Sequence, residues 1–225
     1  MNLQAFWHVA ILGSWRDVLP QQVALFAQVG LRPTIGVVGP TLPRSLVLEQ
    51  MGDVAFRHPN VAEYETPTLQ ILWEWCKGHP GDAVLYCHTK GVSHPGPIHT
   101  AWRKLMEYHV VERWRENLPL LEDHDAVGVN WRTSAPGWPP HFTGTFWMAR
   151  ADWINKLPSP WEHRHHGDVP QPPPGRRASW QRMHAEMWIG AAPDIRVVSL
   201  ACRDTVLPRL PVLQALLKGV GRGLR

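Results

Sequence analysis

Residues 6–40 read FWHVAILGSWRDVLPQQVALFAQVGLRPTIGVVGP. From Phe6 to Leu12 the run is unbroken and apolar, and Gly13-Ser14 ends it. Such a run suits a strand buried on both faces. From Val18 to Val29 apolar residues recur at helical spacing, and Gly30 supplies a C-terminal stop. From Thr34 to Val38 a second buried-strand pattern closes at Gly39-Pro40. Strand, helix and strand in this order make a β-α-β unit with its two strands parallel.

The alternation continues outward from this unit. A weak strand falls at Val54 to Arg57, and Thr66 to Cys76 (TPTLQILWEWC) reads as a helix opened by Thr-Pro. The clearest internal strand, Ala83 to Cys87, runs straight into His88-Thr89-Lys90-Gly91. Trp102, Leu105, Met106, Val110, Trp114 and Leu118 share one face of a long helix predicted over Ala101 to Leu121. Strands are expected at Ala126 to Val129, Phe142 to Ala149 and Ile195 to Leu200. Helices are expected near Ala151 to Leu157 and Ser179 to Ile189. Between them, Ser159 to Arg177 carries three consecutive prolines and a His cluster and reads as an irregular loop. The expected fold is α/β, a mostly parallel central sheet flanked by helices in a single domain over residues 1–204, followed by a tail, 205–225. Ligands of such sheets bind beyond the carboxyl ends of the strands. That rim gathers Gly13-Ser14, the His88 loop and the residues after Val129.

Composition sets limits. The 225 residues, 44% hydrophobic and 19% charged, suit one sizeable core and exclude wholesale disorder. Thirteen Trp are many; they serve either as core or as platforms for sugar rings. The net charge of +4 is modest and spread out, and no nucleic-acid motif accompanies it, so nucleic acid is not an expected partner. Cys76, Cys87 and Cys202 are widely spaced and form no CxxC, as expected for free thiols in a reducing cytoplasm. No signal peptide or membrane-spanning run is evident, which points to a cytoplasmic protein, with the inner membrane face as the alternative.

Several motifs can carry chemistry. Lys90 and Thr89, just past a strand and beside Gly91, are placed to meet a diphosphate. In Phe142-Thr143-Gly144-Thr145-Phe146-Trp147, Gly144 allows close backbone approach and the aromatics offer a sugar platform; a bulged strand explains the run as well. Glu186 in His184-Ala185-Glu186-Met187-Trp188 is a candidate general base, against the plainer reading of a solvated helix carboxylate. His163, His165, His166 and Asp168 suggest a metal, but no zinc-site spacing is matched. Dinucleotide, P-loop and nucleophile-elbow motifs are missing. Asp123-His124-Asp125 has D-x-D form but precedes a strand, at the wrong end for a ligand.

Together YCHTKGVS (86–93), AWRKLMEYHVVERW (101–114), DAVGVNW (125–131), HFTGTFWMARADWINKLP (141–158) and AEMWIG (185–190) resemble a group of small bacterial and large-virus glycosyltransferases. WHVAILGSWRDVLPQQ (7–22) and ETPTLQILWEW (65–75) fit the same pattern. That group has a GT-A-like, Rossmann-like fold and is distantly similar to rhamnan-synthesis proteins. The resemblance implies an enzyme, a hexosyl- or deoxyhexosyltransferase of cell-surface polysaccharide synthesis. Its implied partners are a nucleotide-sugar donor and a glycan or lipid-linked acceptor.

By the same resemblance Gly13 and Ser14 border the nucleotide, and Glu65, Thr66 and Thr68 lie near its base or ribose. His88, Thr89 and Lys90 occupy the usual place of the metal-binding D-x-D. With no carboxylate there, Lys90 and His88 are expected to neutralise the diphosphate, while Mn²⁺ or Mg²⁺ stays open as a cofactor. Arg182 or Arg177 adds positive charge. His141, Thr143, Gly144, Thr145, Phe146 and Trp147 form the acceptor side, with Thr145 standing where the family pattern has Asn. Glu186 matches the catalytic base of an inverting enzyme.

The tail holds Arg209, Lys218, Arg222 and Arg225 among apolar residues. It either lies on an anionic membrane surface or packs on the domain. Two other functions stay open: a non-catalytic carbohydrate-binding or assembly protein, and a metal hydrolase built on the His163 cluster.

Overall fold

The computed structural model describes residues 1–40, 46–133, 139–165 and 183–201. Cys202 and the tail lie outside them, as do Arg177, Arg182, His166 and Asp168. The opening unit is as expected: β1 (Leu3–Ala10), α1 (Trp15–Val29) and β2 (Thr34–Val38), the strands parallel with Phe6 opposite Thr34. Gly30, left-handed, caps α1. A short α2 (Leu46–Met51), which the sequence did not announce, leads to β3 (Asp53–His58). Then come α3 (Thr66–Gly78) and β4 (Ala83–His88).

The long helix expected over 101–121 is helical except at Arg113, where it breaks, and it changes its winding. α4 (Pro97–Met106) opens into a π-turn over Glu107–Glu112, and α5 (Trp114–Asn117) tightens into a 3₁₀ turn over Leu118–Glu122. β5 (Ala126–Gly128) follows, with β6 (Trp131–Arg132) and β7 (His141–Phe142) paired as a two-stranded ribbon. Next are β8 (Trp147–Arg150), α6 (Ala151–Ile154) and α7 (Pro160–His165), and β9 (Val197–Ser199) comes last.

Seven strands form one sheet in the order β3-β2-β1-β4-β8-β5-β9. Every neighbouring pair is parallel except those of β8, which runs against β4 and β5. An α/β architecture, a mostly parallel seven-stranded sheet flanked by helices, is therefore the fold of the described residues. Two expectations need correction. Residues 142–149 are not one strand: a turn at residues 143–146, with Gly144 and Thr145 at positive φ, separates β7 from the reversed β8. Residues 160–165, expected to be irregular, form α7, where Ser159 and Glu162 cap one another through reciprocal backbone–side-chain bonds.

Alternation along the strands divides the core. Trp7, Leu85 and Met148 face α1 and α4 with Phe26 and Met106. Phe6, Tyr86 and Trp147 face α3 with Leu69, Leu72 and Trp188. Trp7, Trp102, Trp147, Trp153 and Trp188 are all buried, so the core accounts for these five. Cys76 and Cys87 are buried free thiols. Among the described residues no helix is long and apolar enough to cross a membrane.

Candidate functional site

Parallel strands deliver their carboxyl ends to one rim, and the reversed β8 starts there, with Trp147 opposite Tyr86 and Gly128. The exits of β1 and β4 are tied together. Ala10 N donates to Thr89 Oγ1 at 2.9 Å, and Ser14 N donates to the Val92 carbonyl at 2.9 Å. Gly13 sits at φ +53°, and a Cβ there would stand 1.9 Å from the Val92 oxygen. Glycine is required by backbone contact as well as by conformation.

Glu65 occupies the N-cap position of α3, but its side chain does not cap the helix. Instead the carboxylate turns to the rim. Oε2 accepts from the Tyr86 hydroxyl at 3.0 Å, and Oε1 lies 3.2 Å from His88 Nδ1. Burial first, and the Glu65 charge second, raise the Tyr86 phenol well above its ordinary range and keep it a donor. His88 Nε2 lies 3.0 Å from the Gly144 carbonyl. Each ring nitrogen of His88 faces an oxygen, one from Glu65 and one from Gly144. His88 thus clips the start of α3 and the 143–146 turn to the end of β4.

The Lys90 ammonium lies 3.7 Å from Glu186 Oε1, both groups mostly buried. Candidate phosphate ligand and candidate base, read from separate motifs, are therefore neighbours. Glu186 is carried by the helical residues 183–187, and the following Trp188 packs on Trp147 at 6.3 Å between ring centroids.

The remaining candidates divide. Phe146 lies against His88 at 5.5 Å between ring centroids, and Gly144 meets α4, where a Cβ would come within 2.7 Å of Met106 Sδ. Thr143 Oγ1, Thr145 Oγ1 and Trp147 Nε1 are buried without a hydrogen-bond partner among the described residues, an uncommon concentration for one short stretch. His141 is buried on β7, its Nδ1 2.9 Å from the Pro139 carbonyl. Thr66 is buried at the start of α3. Thr68 is committed to the interior: its hydroxyl lies 2.8 Å from His8 Nδ1. His163 packs edge-on against His184; Asp168 and His166 of that cluster are outside the described residues. Asp125 of the D-x-D holds Arg196 at the opposite end of the sheet.

Three of the four non-glycine residues at positive φ among the described residues lie at this rim, the fourth, Asp194, standing before β9 at the other end. Tyr64 (φ +48°) precedes Glu65, Asn130 (φ +58°) accepts from Thr143 N, and Thr145 (φ +60°) follows Gly144. Non-glycine residues in this region are uncommon and gather where geometry is held for a purpose.

Beneath the His88–Lys90 loop lies a polar network that the sequence reading missed. Gln22 Nε2 donates to the His88 carbonyl and to Glu107 Oε1, each at 3.0 Å, while its Oε1 accepts from the Trp7 indole at 3.0 Å. Arg103 Nη1 donates to Glu107 at 2.7 Å, and both side chains are buried. The one available signal was the i,i+4 spacing of Arg103 and Glu107 on a helix; nothing local distinguishes Gln22. Glu107 also opens the π-turn, a feature often found at functional sites.

Among curated proteins none matches this chain. Among solved structures it is similar to 4-diphosphocytidyl-2C-methyl-D-erythritol synthase, at 11% identity and TM-score 0.40 over 97% of this chain and 98% of that one. It is similar also to CMP:2-keto-3-deoxy-manno-octonic acid synthetase complexed with CTP, at 10% identity and TM-score 0.41 over 96% and 99%. Likeness at this level bears on neither activity nor ligand. Residues 42–204 match the family model described as a domain of unknown function, DUF8361, and the chain belongs to that family.

Proposed function

We propose that the protein is a glycosyltransferase that moves a sugar from a nucleotide-diphospho-sugar to a hydroxyl of a glycan or lipid-linked acceptor, with inversion. The observation that supports this is the approach of Lys90 to Glu186 at the carboxyl rim of the sheet. A cation for the leaving diphosphate and a base for the incoming hydroxyl are what a single displacement needs side by side. Glu186 takes the acceptor's proton, the oxygen attacks the anomeric carbon, and the bond to the diphosphate breaks with its electron pair. The nucleoside diphosphate leaves with its charge met by Lys90. Attack opposite the leaving group inverts the anomeric centre.

His88 acts here by position rather than as a phosphate donor, since Glu65 and the Gly144 carbonyl engage its two nitrogens. Among the described residues the donor set does not suit a divalent ion: no carboxylate stands in the 88–91 loop, and Glu65 and Glu186 already face partners. The turn at 143–146 forms the acceptor side, and contact of the 205–225 tail with an anionic membrane would bring a lipid-linked acceptor within reach.

Glu186→Gln should lower release of nucleoside diphosphate from the preferred donor by roughly 10²–10⁴-fold without weakening donor binding. Product with the anomeric configuration retained would overturn the single displacement. Donor binding without any turnover would favour a carbohydrate-binding or assembly role instead.

A further inference from the structure

Lys90 and Glu186 keep only 13% and 6% of their side chains exposed. At that depth an unpaired charge is costly, so each serves as the other's counter-ion. Their 3.7 Å separation is beyond hydrogen-bond range, so charge holds them without a shared proton. Resting on the donor-site reading above, Lys90 has two claimants: Glu186 in the ligand-free protein and the diphosphate in the complex.

We infer that Glu186 is the resident anion of the diphosphate subsite, displaced from Lys90 when a nucleoside diphosphate enters, and is thereby a specificity-determining residue as well as the base. A diphosphate offers Lys90 several negative charges and short charge-assisted hydrogen bonds, against one carboxylate held at longer range. Exchange therefore favours the diphosphate. A nucleoside or a free sugar has nothing to exchange and meets the closed pair. Once Lys90 has turned to the phosphates, Glu186 is a buried carboxylate without its counter-ion, a cost that an acceptor hydroxyl donating to it relieves. Binding order follows, donor before acceptor, and the base is exposed only when there is a sugar to transfer.

The test is a double-mutant cycle read by calorimetry on the full chain, with UDP, GDP, dTDP and inorganic pyrophosphate as probes and uridine, guanosine and thymidine as uncharged controls. Glu186→Gln should tighten the preferred diphosphate about three- to tenfold by removing the competitor, and leave the matching nucleoside unchanged. In a Lys90→Gln background the Glu186→Gln gain should vanish. Thermal melting of all four proteins checks folding, and Lys90→Arg, which keeps the cation, should retain most of the gain. If wild type binds a diphosphate through Lys90 but Glu186→Gln leaves affinity unchanged or weaker, the resident-anion role is wrong while the donor site stands. If neither wild type nor Glu186→Gln binds any diphosphate or pyrophosphate, the donor-site reading falls and this inference with it.

Discussion

Replacing Gly13 with alanine tests whether the exits of β1 and β4 form one rigid wall of the site. The new Cβ would lie 1.9 Å from the Val92 carbonyl oxygen, 1.1 Å inside the 3.0 Å that real contacts respect. The obstacle is backbone, so no side-chain rotation relieves it. Alanine at φ +53° costs about 1–2 kcal/mol. Pushing Val92 away breaks the 2.9 Å bond from Ser14 N, worth about 1 kcal/mol. Together these give about 2–3 kcal/mol before repacking, or a fall in Tm of roughly 4–12 °C for a chain of this size. Scanning calorimetry reads it, with Gly78→Ala as control because a Cβ there meets nothing within 4 Å. The displaced 88–92 loop should also weaken nucleotide binding at least tenfold. A Gly13→Ala protein melting within about 1 °C of wild type would refute the close approach.

Burial lowers the His8 pKa from 6.5 to about 3, so the ring stays neutral in the fold and takes up a proton on unfolding. Its contribution is fully present above pH 6.5 and is lost as pH falls towards 3; between pH 7.5 and 5 wild type should lose about 2 kcal/mol more than His8→Gln in urea titrations, and parallel losses would contradict it. Glu107→Ala strands Arg103 in the interior and should cost about 3–5 kcal/mol, whereas the paired change of Arg103 and Glu107 to Met should cost much less; equal costs would show that the pair is not buried as described. Glu65→Gln removes the charge facing His88 and Tyr86, and should weaken donor binding several-fold with a Tm change below about 4 °C. An unchanged affinity would remove Glu65 from the site.

β1, β2 and β4 and the helices α1 and α3 were legible from apolar runs of the right length and period, whereas β3, mostly exposed, gave only a weak signal. The reversal of β8 was not legible. Phe142 to Ala149 has a strand-like composition throughout, and the positive φ at Thr145 gives no sequence signal, so turn and strand merged. The helix over 101–121 was legible from its apolar face, but its π-turn was not, because side-chain periodicity does not report hydrogen-bond spacing. At the site, Lys90 and Glu186 were legible one by one; their meeting depends on how residues 183–187 pack on the rim. Glu65 is instructive. The sequence offers Thr66-Pro67 as the helix start, which hides that the preceding Glu65 is the N-cap residue and spends its carboxylate on Tyr86 and His88. Gln22 carried no signal, because its role arises only where α1 passes beneath β4.

The most direct test of a donor site at this rim is a calorimetric titration of UDP-, GDP-, dTDP- and CMP-sugars into wild type and Lys90→Ala, each with and without Mn²⁺. One donor should bind wild type without Mn²⁺ and weaken at least tenfold in Lys90→Ala. Binding by none, binding indifferent to Lys90, or an absolute need for Mn²⁺ would contradict the account.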